Sequence, residues 1–218
     1  MLSHDNRGVD ALTGLPTYEV FVARLEEGLT SVEANDSPVS MGLVDLDLFG
    51  KLDAERGRAV GDAVIASLGR ALVESFGKAG KVYRYGGDAF SVLVAAEKEK
   101  AFLLFEEFRQ QFSATPVMLE GEGAESAALT VSVGVAAYPD DGARAQELVR
   151  KANEALYRAK VSGRNKVCLA RGEKMVTKTS HYTLGQLEGL SRLAKREGFG
   201  EAVLLREALD DLLRKYNS

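Results

Sequence analysis

The sequence predicts an α+β protein: a ferredoxin-like βαββαβ sandwich followed by a small β-α-α unit. Three observations predict it. Helical and strand patterns alternate over residues 10–170, in the order helix, strand, helix, strand, strand, helix, strand, helix, strand. Gly86 and Gly87 sit between two apolar runs, as a tight hairpin requires. Residues 176–216 hold one β-prone run and two segments with leucine at helical spacing. The small, charged stretch ARGEK at Ala170–Lys174 suits a boundary, so the expected domains are 1–172 and 176–218.

Each element has its own signal. Val20, Phe21 and Leu25 recur at helical spacing, placing a first helix at about Thr17–Leu29, with a polar turn over residues 30–38. VSMGLVDLD reads as a covered central strand that ends in Asp45 and Asp47. A helical pattern runs from about Phe49 to Phe76, bent or interrupted near Gly57 and Gly61. KVYRY, GGD and AFSVLVA make a hairpin. Residues 98–112 form an amphipathic helix, and residues 120–127 (EGEGAESA) read as a flexible loop. ALTVSVGVAAY is a long strand, residues 143–161 a helix, and NKVCLA a last edge strand. Tyr83, Tyr85 and Tyr157 read as core-edge residues and Cys168 as a small buried hydrophobe.

Composition excludes several classes. The chain has 218 residues and a net charge of −4, against a polybasic nucleic-acid-binding tail. One cysteine excludes an internal disulfide, and two histidines exclude a histidine-rich metal site. No run reaches the ~18 apolar residues of a membrane span, and MLSHDNRGVD lacks the apolar core of a signal peptide. A cytoplasmic protein without membrane contact is expected.

The chemistry points to the end of the first strand. Asp45 and Asp47 flank Leu46, so alternation directs both the same way. In the predicted sheet they approach the turn that carries Asp88. Carboxylates from a strand end and a neighbouring turn make a hard-oxygen site suited to magnesium and phosphate. Asp at strand ends and glycine turns is also common without any such role.

Motifs sharpen this. DLDLFGKLDAERGRAVGD and RYGGDAF resemble signatures of GGDEF domains, the diguanylate cyclase family. DALTGLP at Asp10–Pro16, TVSVGVA at Thr130–Ala136 and ALYRAKVSGRNKV at Ala155–Val167 resemble three further signatures, in order. The resemblance implies the palm-type nucleotide cyclase version of the sandwich. It also implies GTP and Mg2+ as ligands, and condensation of two GTP into cyclic di-GMP between two facing domains. Carried over by residue, it implies metal binding by Asp45, the Leu46 carbonyl and Asp88. It implies guanine recognition at Asp53 and Asp62, triphosphate contact at Lys160 and Arg164, and close backbone approach at Gly86 and Gly87. Lys160 and Arg164 also suit a helix C-terminus as plain counter-charges. Arg84 reads equally as a solvated strand residue or a ligand contact.

The departures bear on catalysis. The fourth position of the turn, glutamate in the family, is Ala89, which cannot bind metal or move a proton. The family's lysine at position 50 is Gly50, so a cation near developing phosphate charge is lost. Asp53 replaces an asparagine, Arg58 a histidine and Thr17 an asparagine. The RxxD product-binding motif is replaced by Gly77 and Gly80, which offer no bidentate fork. Asp45 and Asp88 remain the catalytic candidates if the chain is active.

The last 40 residues resemble the ribbon–helix–helix family of DNA-binding proteins, in the TKTSHYT run, the LxxLxxLA stretch, the glycine turn and LLREAL. Thr183 is a good N-cap. The resemblance implies a homodimer through an intermolecular ribbon, with Thr177, Thr179 and His181 facing base edges and Lys178 at phosphate. Lys195, Arg196, Arg214 and Lys215 are further phosphate candidates. Residues 176–218 carry seven Lys or Arg against six Asp or Glu, a weakly basic balance for DNA, and Gly200 stands where the family has a serine. Dimerisation without DNA binding is therefore the alternative.

The expectation is a largely non-catalytic regulatory protein that binds GTP and Mg2+ at an altered site and is dimerised by its tail. An active cyclase and a plain interaction scaffold are the alternatives.

Overall fold

A computed structural model describes residues 8–35, 38–119, 125–171, 180–197 and 201–216. Contacts divide the chain into two compact units, Met1–Glu173 and Lys174–Ser218.

The first unit is a five-stranded sheet between two helical layers. Its elements are α1 (Tyr18–Asn35), β1 (Val39–Leu46), α2 (Phe49–Arg56), α3 (Arg58–Phe76), β2 (Gly80–Gly86), β3 (Ala89–Val94), α4 (Lys98–Ala114), β4 (Val117–Leu119), β5 (Glu125–Ala127), β6 (Val131–Tyr138), α5 (Ala145–Val161) and β7 (Val167–Leu169). The strand order is β2-β3-β1-β6-β7, with β7 parallel to β6 and the other pairs antiparallel. The first four strands of that order are the ferredoxin-like set, and β7 is the expected edge strand.

Alternation along β1 decides what each side chain meets. Val44 and Leu46 pack with Phe90, Val92, Val133 and the apolar faces of α3 and α4. Met41 and Leu43 point the other way, to Phe21 and Leu25 of α1 and Leu148 of α5. Asp45 falls on this second face, with Ala89 and Ser132 as its register partners. Helix α5 lies very close to β6 there: a Cβ on Gly134 would stand 2.1 Å from the Ala152 carbonyl oxygen. Glycine at 134 lets the helix seat on the sheet.

Several expectations need correction. α1 runs on to Asn35, past the expected stop at Leu29. The long helical pattern is interrupted at Gly57 as expected, where a φ of 82° favours glycine, but not at Gly61, which lies inside α3. Residues 125–127, expected as loop, form β5 and pair with β4. That hairpin has three residues per strand, too short for a period-two signal; Val117 anchors it in the core beside α3 and α4. Tyr83 is fully in the core, Tyr85 lies at its edge, and Tyr157 is exposed. Cys168 is half-buried on β7.

The second unit holds α6 (Leu184–Glu197) and α7 (Glu201–Tyr216). Thr183 caps α6 reciprocally: Gln186 N donates to its Oγ1 at 3.3 Å, and its own N–H donates to Gln186 Oε1 at 2.9 Å. The helices pack together, and Ser191 Oγ donates to Glu201. Residues 180–183 carry no strand; a ribbon between chains would not form within one chain. Thr177, Lys178 and Thr179 lie outside the described residues, as do Gly198 and Gly200; His181 is exposed.

Candidate active site

The end of β1, the glycine turn and the end of α5 meet in one place. Gly86 (φ 143°) and Gly87 (φ 57°) make the turn between β2 and β3, and both angles favour glycine although a Cβ would meet nothing there. The turn is held from behind. Arg84 Nη2 donates to the Gly87 carbonyl, and its guanidinium lies 4.9 Å over the Phe90 ring. Burial works against the Arg84 charge, while Asp10, Asp88 and Asp62 support it. Arg84 is thus half-buried and braces the turn, which corrects the reading as a solvated strand residue, and its Nη1 is buried without a hydrogen-bond partner.

The DALTGLP segment is a second brace. The Asp10 carboxylate accepts from Thr13 N at 2.9 Å and Thr13 Oγ1 at 2.6 Å, closing a tight turn. Pro16 then accepts from the Arg84 N–H at 2.8 Å. The N-terminal motif therefore acts through β2, on the backbone of the strand that delivers the turn.

Asp45 and Asp47 differ sharply. Asp47 accepts from Thr130 Oγ1 and Ser132 Oγ at 2.7 Å each and from Asn165 N at 2.9 Å. Its oxygens are spent on tying β1 to β6 and to the loop after α5. That loop turns through left-handed conformations at Arg164 (φ 59°) and Asn165 (φ 47°), which present the Asn165 N–H to Asp47. Asp45 has no such donors. It is 7% exposed, and its Oδ1 is buried without an aligned hydrogen bond. Lys160 Nζ makes an ion pair with that oxygen at 2.6 Å. Burial pushes the Asp45 carboxyl up to about 6; Lys160 opposes the rise, and the Asp88 charge adds to it.

This donor set fits a hard divalent cation. A buried carboxylate whose one partner is a half-exposed ammonium, near a second carboxylate of like charge, is stabilised by added positive charge. Asp45 and Asp88 would hold such an ion, with the Leu46 carbonyl as a further oxygen; Leu46 N–H donates to the Asp88 carbonyl at 3.4 Å, so the two segments are neighbours. Among the described residues no cluster of three or more His, Cys, Asp or Glu side chains forms. A magnesium ion carrying phosphate oxygens needs only one or two carboxylates.

The base-reading candidates lie together on α2 and α3. A Cβ on Gly61 would stand 2.5 Å from Asp53 Oδ1, so the Asp53 carboxylate folds over the residue beside Asp62. Asp62 faces Arg58 at 4.0 Å, an exposed pair. Arg164 is exposed beside the Asp47 tie. Gly50 is exposed, and a Cβ there would meet nothing, so packing does not forbid the missing lysine. Ala89 is buried and registers with Asp45, which puts position 89 on the face of the acid site. A Cβ on Gly80 would stand 2.2 Å from the Leu93 carbonyl oxygen, so the backbone at this position is closed against a side chain. What sequence reasoning missed is the Asp47 clasp and the Lys160–Asp45 pair. Both join residues more than eighty positions apart, and no local pattern signals them.

A palm-type sheet with a double-glycine turn facing a strand-end carboxylate defines a class, the nucleotide-cyclase-like α+β domains. Within it, residues 8–166 match the family described as diguanylate cyclase, GGDEF domain, and the chain belongs to that family. The chain is 31% identical over 159 residues to the response regulator PleD of Caulobacter vibrioides, covering 72% of this chain and 35% of that protein. It is 28% identical over 166 residues to diguanylate cyclase A of Treponema denticola, covering 74% and 44%. It thus spans less than half the length of these relatives. Among solved structures, the GGDEF domain of DgcB from Caulobacter crescentus, in complex with c-di-GMP, superposes with a TM-score of 0.72 at 25% identity, over 78% of this chain and 97% of that one. A sensory box/GGDEF family protein from the same species is 32% identical, with a TM-score of 0.64 over 72% and 99%. Among the described residues no helix is long and apolar enough to cross a membrane.

Proposed function

We propose that this chain is a regulatory member of the GGDEF family that binds GTP with Mg2+ at the Asp45–Asp88 site and does not turn it over efficiently to cyclic di-GMP. The observation that carries this reading is Ala89: it registers with Asp45 on the site's face and brings neither a metal ligand nor a base. Gly50 compounds it by leaving the developing phosphate charge without a lysine. The retained Asp45, Asp88, Asp62, Lys160 and Arg164 support binding, and they are what an active cyclase would also keep. Incubation with GTP and Mg2+, followed by chromatography of the nucleotides, separates the two. Unchanged GTP together with a calorimetric binding isotherm supports the reading; robust cyclic di-GMP production refutes it.

The tail supports a second reading, that Lys174–Ser218 dimerises the protein in the manner of a ribbon–helix–helix. Leu187, Leu205, Leu209 and Leu212 are 43%, 37%, 53% and 50% exposed on α6 and α7, a large apolar exposure for a two-helix unit. A unit this small also needs a partner to complete a core. Removing residues 174–218 should convert a dimer to a monomer by light scattering; a dimeric truncation refutes the reading. DNA contact through Thr177, Lys178, Thr179 and His181 rests on the resemblance, and a gel shift against the promoter region of the chain's own gene tests it.

A further inference from the structure

We propose that Lys160 is the resident counter-cation of the acid site, so that a divalent cation and an anionic nucleotide bind there cooperatively, each drawing in the other. The proposal rests on the GTP–Mg2+ reading above and goes beyond it by assigning an order of events to one side chain.

The geometry is specific. Lys160 lies in the last turn of α5, and its ammonium stands 2.6 Å from Asp45 Oδ1. That oxygen is buried and has no aligned donor, so the lysine supplies its nearest positive charge. Two other cations near this end of the sheet have partners of their own, while Arg164 is exposed and makes no ion pair with Asp45. Arg84 is tied to Gly87 and stacked on Phe90. Lys166 Nζ is spent on the Ser162 carbonyl at 2.5 Å. The Lys160 side chain is 35% exposed while that of Asp45 is 10% exposed, so the lysine is the partner able to leave.

Charge does the rest. A carboxylate already neutralised by an ammonium is a poor ligand for a hard cation, and the two cations repel at the same oxygen. Metal alone must displace Lys160 with nothing to receive it. A triphosphate offers the ammonium new anionic oxygens within reach of a long, rotatable stem. Once the ammonium turns to phosphate, Asp45 is released to the metal, which itself binds phosphate oxygens. By linkage, the factor by which nucleotide raises metal affinity equals the factor by which metal raises nucleotide affinity.

The test measures Mn2+ binding to the full chain from the electron paramagnetic resonance signal of the unbound ion. It is run with and without a non-hydrolysable GTP analogue, against protein-free blanks. For the wild type we expect Mn2+ affinity to rise at least about tenfold with the analogue. Lys160→Gln should bind Mn2+ alone about tenfold more tightly than the wild type and show a smaller analogue effect. Lys160→Met should repeat this, with folding of both variants checked by thermal melts. Lys166→Gln removes the same charge from a spent position and should leave Mn2+ affinity unchanged. The proposal is overturned if the analogue and Mn2+ bind together but the Lys160 variants take up Mn2+ alone no better than the wild type. It is equally overturned if Lys166→Gln matches them, since general charge then explains the gain. If no form takes up Mn2+ with or without the analogue, the nucleotide–metal reading of the site itself falls.

Discussion

Asp45 and Asp47 stand two residues apart on one strand end, at 7% and 8% exposure, and they have opposite fates. Asp47 is surrounded by donors: two hydroxyls and a backbone N–H from three separate positions close on it. Asp45 faces a lysine and another acid, and burial raises its ionisation to about 6. Burial alone therefore does not mark a functional carboxylate. The two differ in what the fold supplies to the charged form: hydroxyls and a backbone N–H hold Asp47 as a structural tie, while Asp45 has a single, half-exposed ammonium.

The largest expected effect tests the tie. Asp47→Ala strands the Thr130 and Ser132 hydroxyls and the Asn165 N–H, which should cost about 3 kcal/mol or more of stability in urea unfolding. A loss near zero would break the comparison. Next comes Asp45. Its carboxyl ordinarily ionises at 3.8 and here at about 6, so the folded chain keeps this proton to higher pH than the unfolded one. Ionising it opposes folding: the stability contributed by this group is full below its ordinary pKa and is lost as pH rises through about 6. At about 1.4 kcal/mol per unit, the loss is on the order of 3 kcal/mol. Asp45→Asn should flatten that part of the stability–pH profile, and an unaltered slope would show that Asp45 is not the group responsible.

A third prediction rests on the proposed function. Ala89→Glu with Gly50→Lys should raise cyclic di-GMP output by about a hundredfold, a typical scale for a restored acid–base or electrostatic group. The product is read by chromatography, and no gain would mean that more than these two side chains separates the site from an efficient cyclase. The smallest effect refines the tie. Asn165 Oδ1 accepts from Arg109 Nη1 at 2.7 Å, while its backbone N–H serves Asp47. Asn165→Gly keeps the N–H and suits the left-handed backbone, so it should cost no more than about 1 kcal/mol in the same unfolding assay. A cost near that of Asp47→Ala would move the tie from the backbone to the Asn165 side chain.

Much of this was legible beforehand. Alternation in VSMGLVDLD and the paired glycines placed Asp45 beside the hairpin that carries Asp88, and the register of β1 with β3 agrees. The stop at Gly57 was legible as glycine punctuation, although Gly61 gave the same signal and has another use, making room for Asp53. The β4–β5 hairpin was not legible, because three-residue strands carry too little pattern. Nor were the partners of Asp47, which come from β6 and from the loop after α5.

The sequence by itself determined the order of strands and helices, the glycine-bearing turn and the residue types at the site, because periodicity and backbone freedom are local properties. It also set glycine at position 50 and alanine at position 89. Only the tertiary structure decided which of two neighbouring acids is satisfied and which is paired with a lysine from the far end of α5. The reason is physical: solvation and pairing of a buried charge depend on groups that the sheet brings together across the chain, and neither is encoded in the residues beside it.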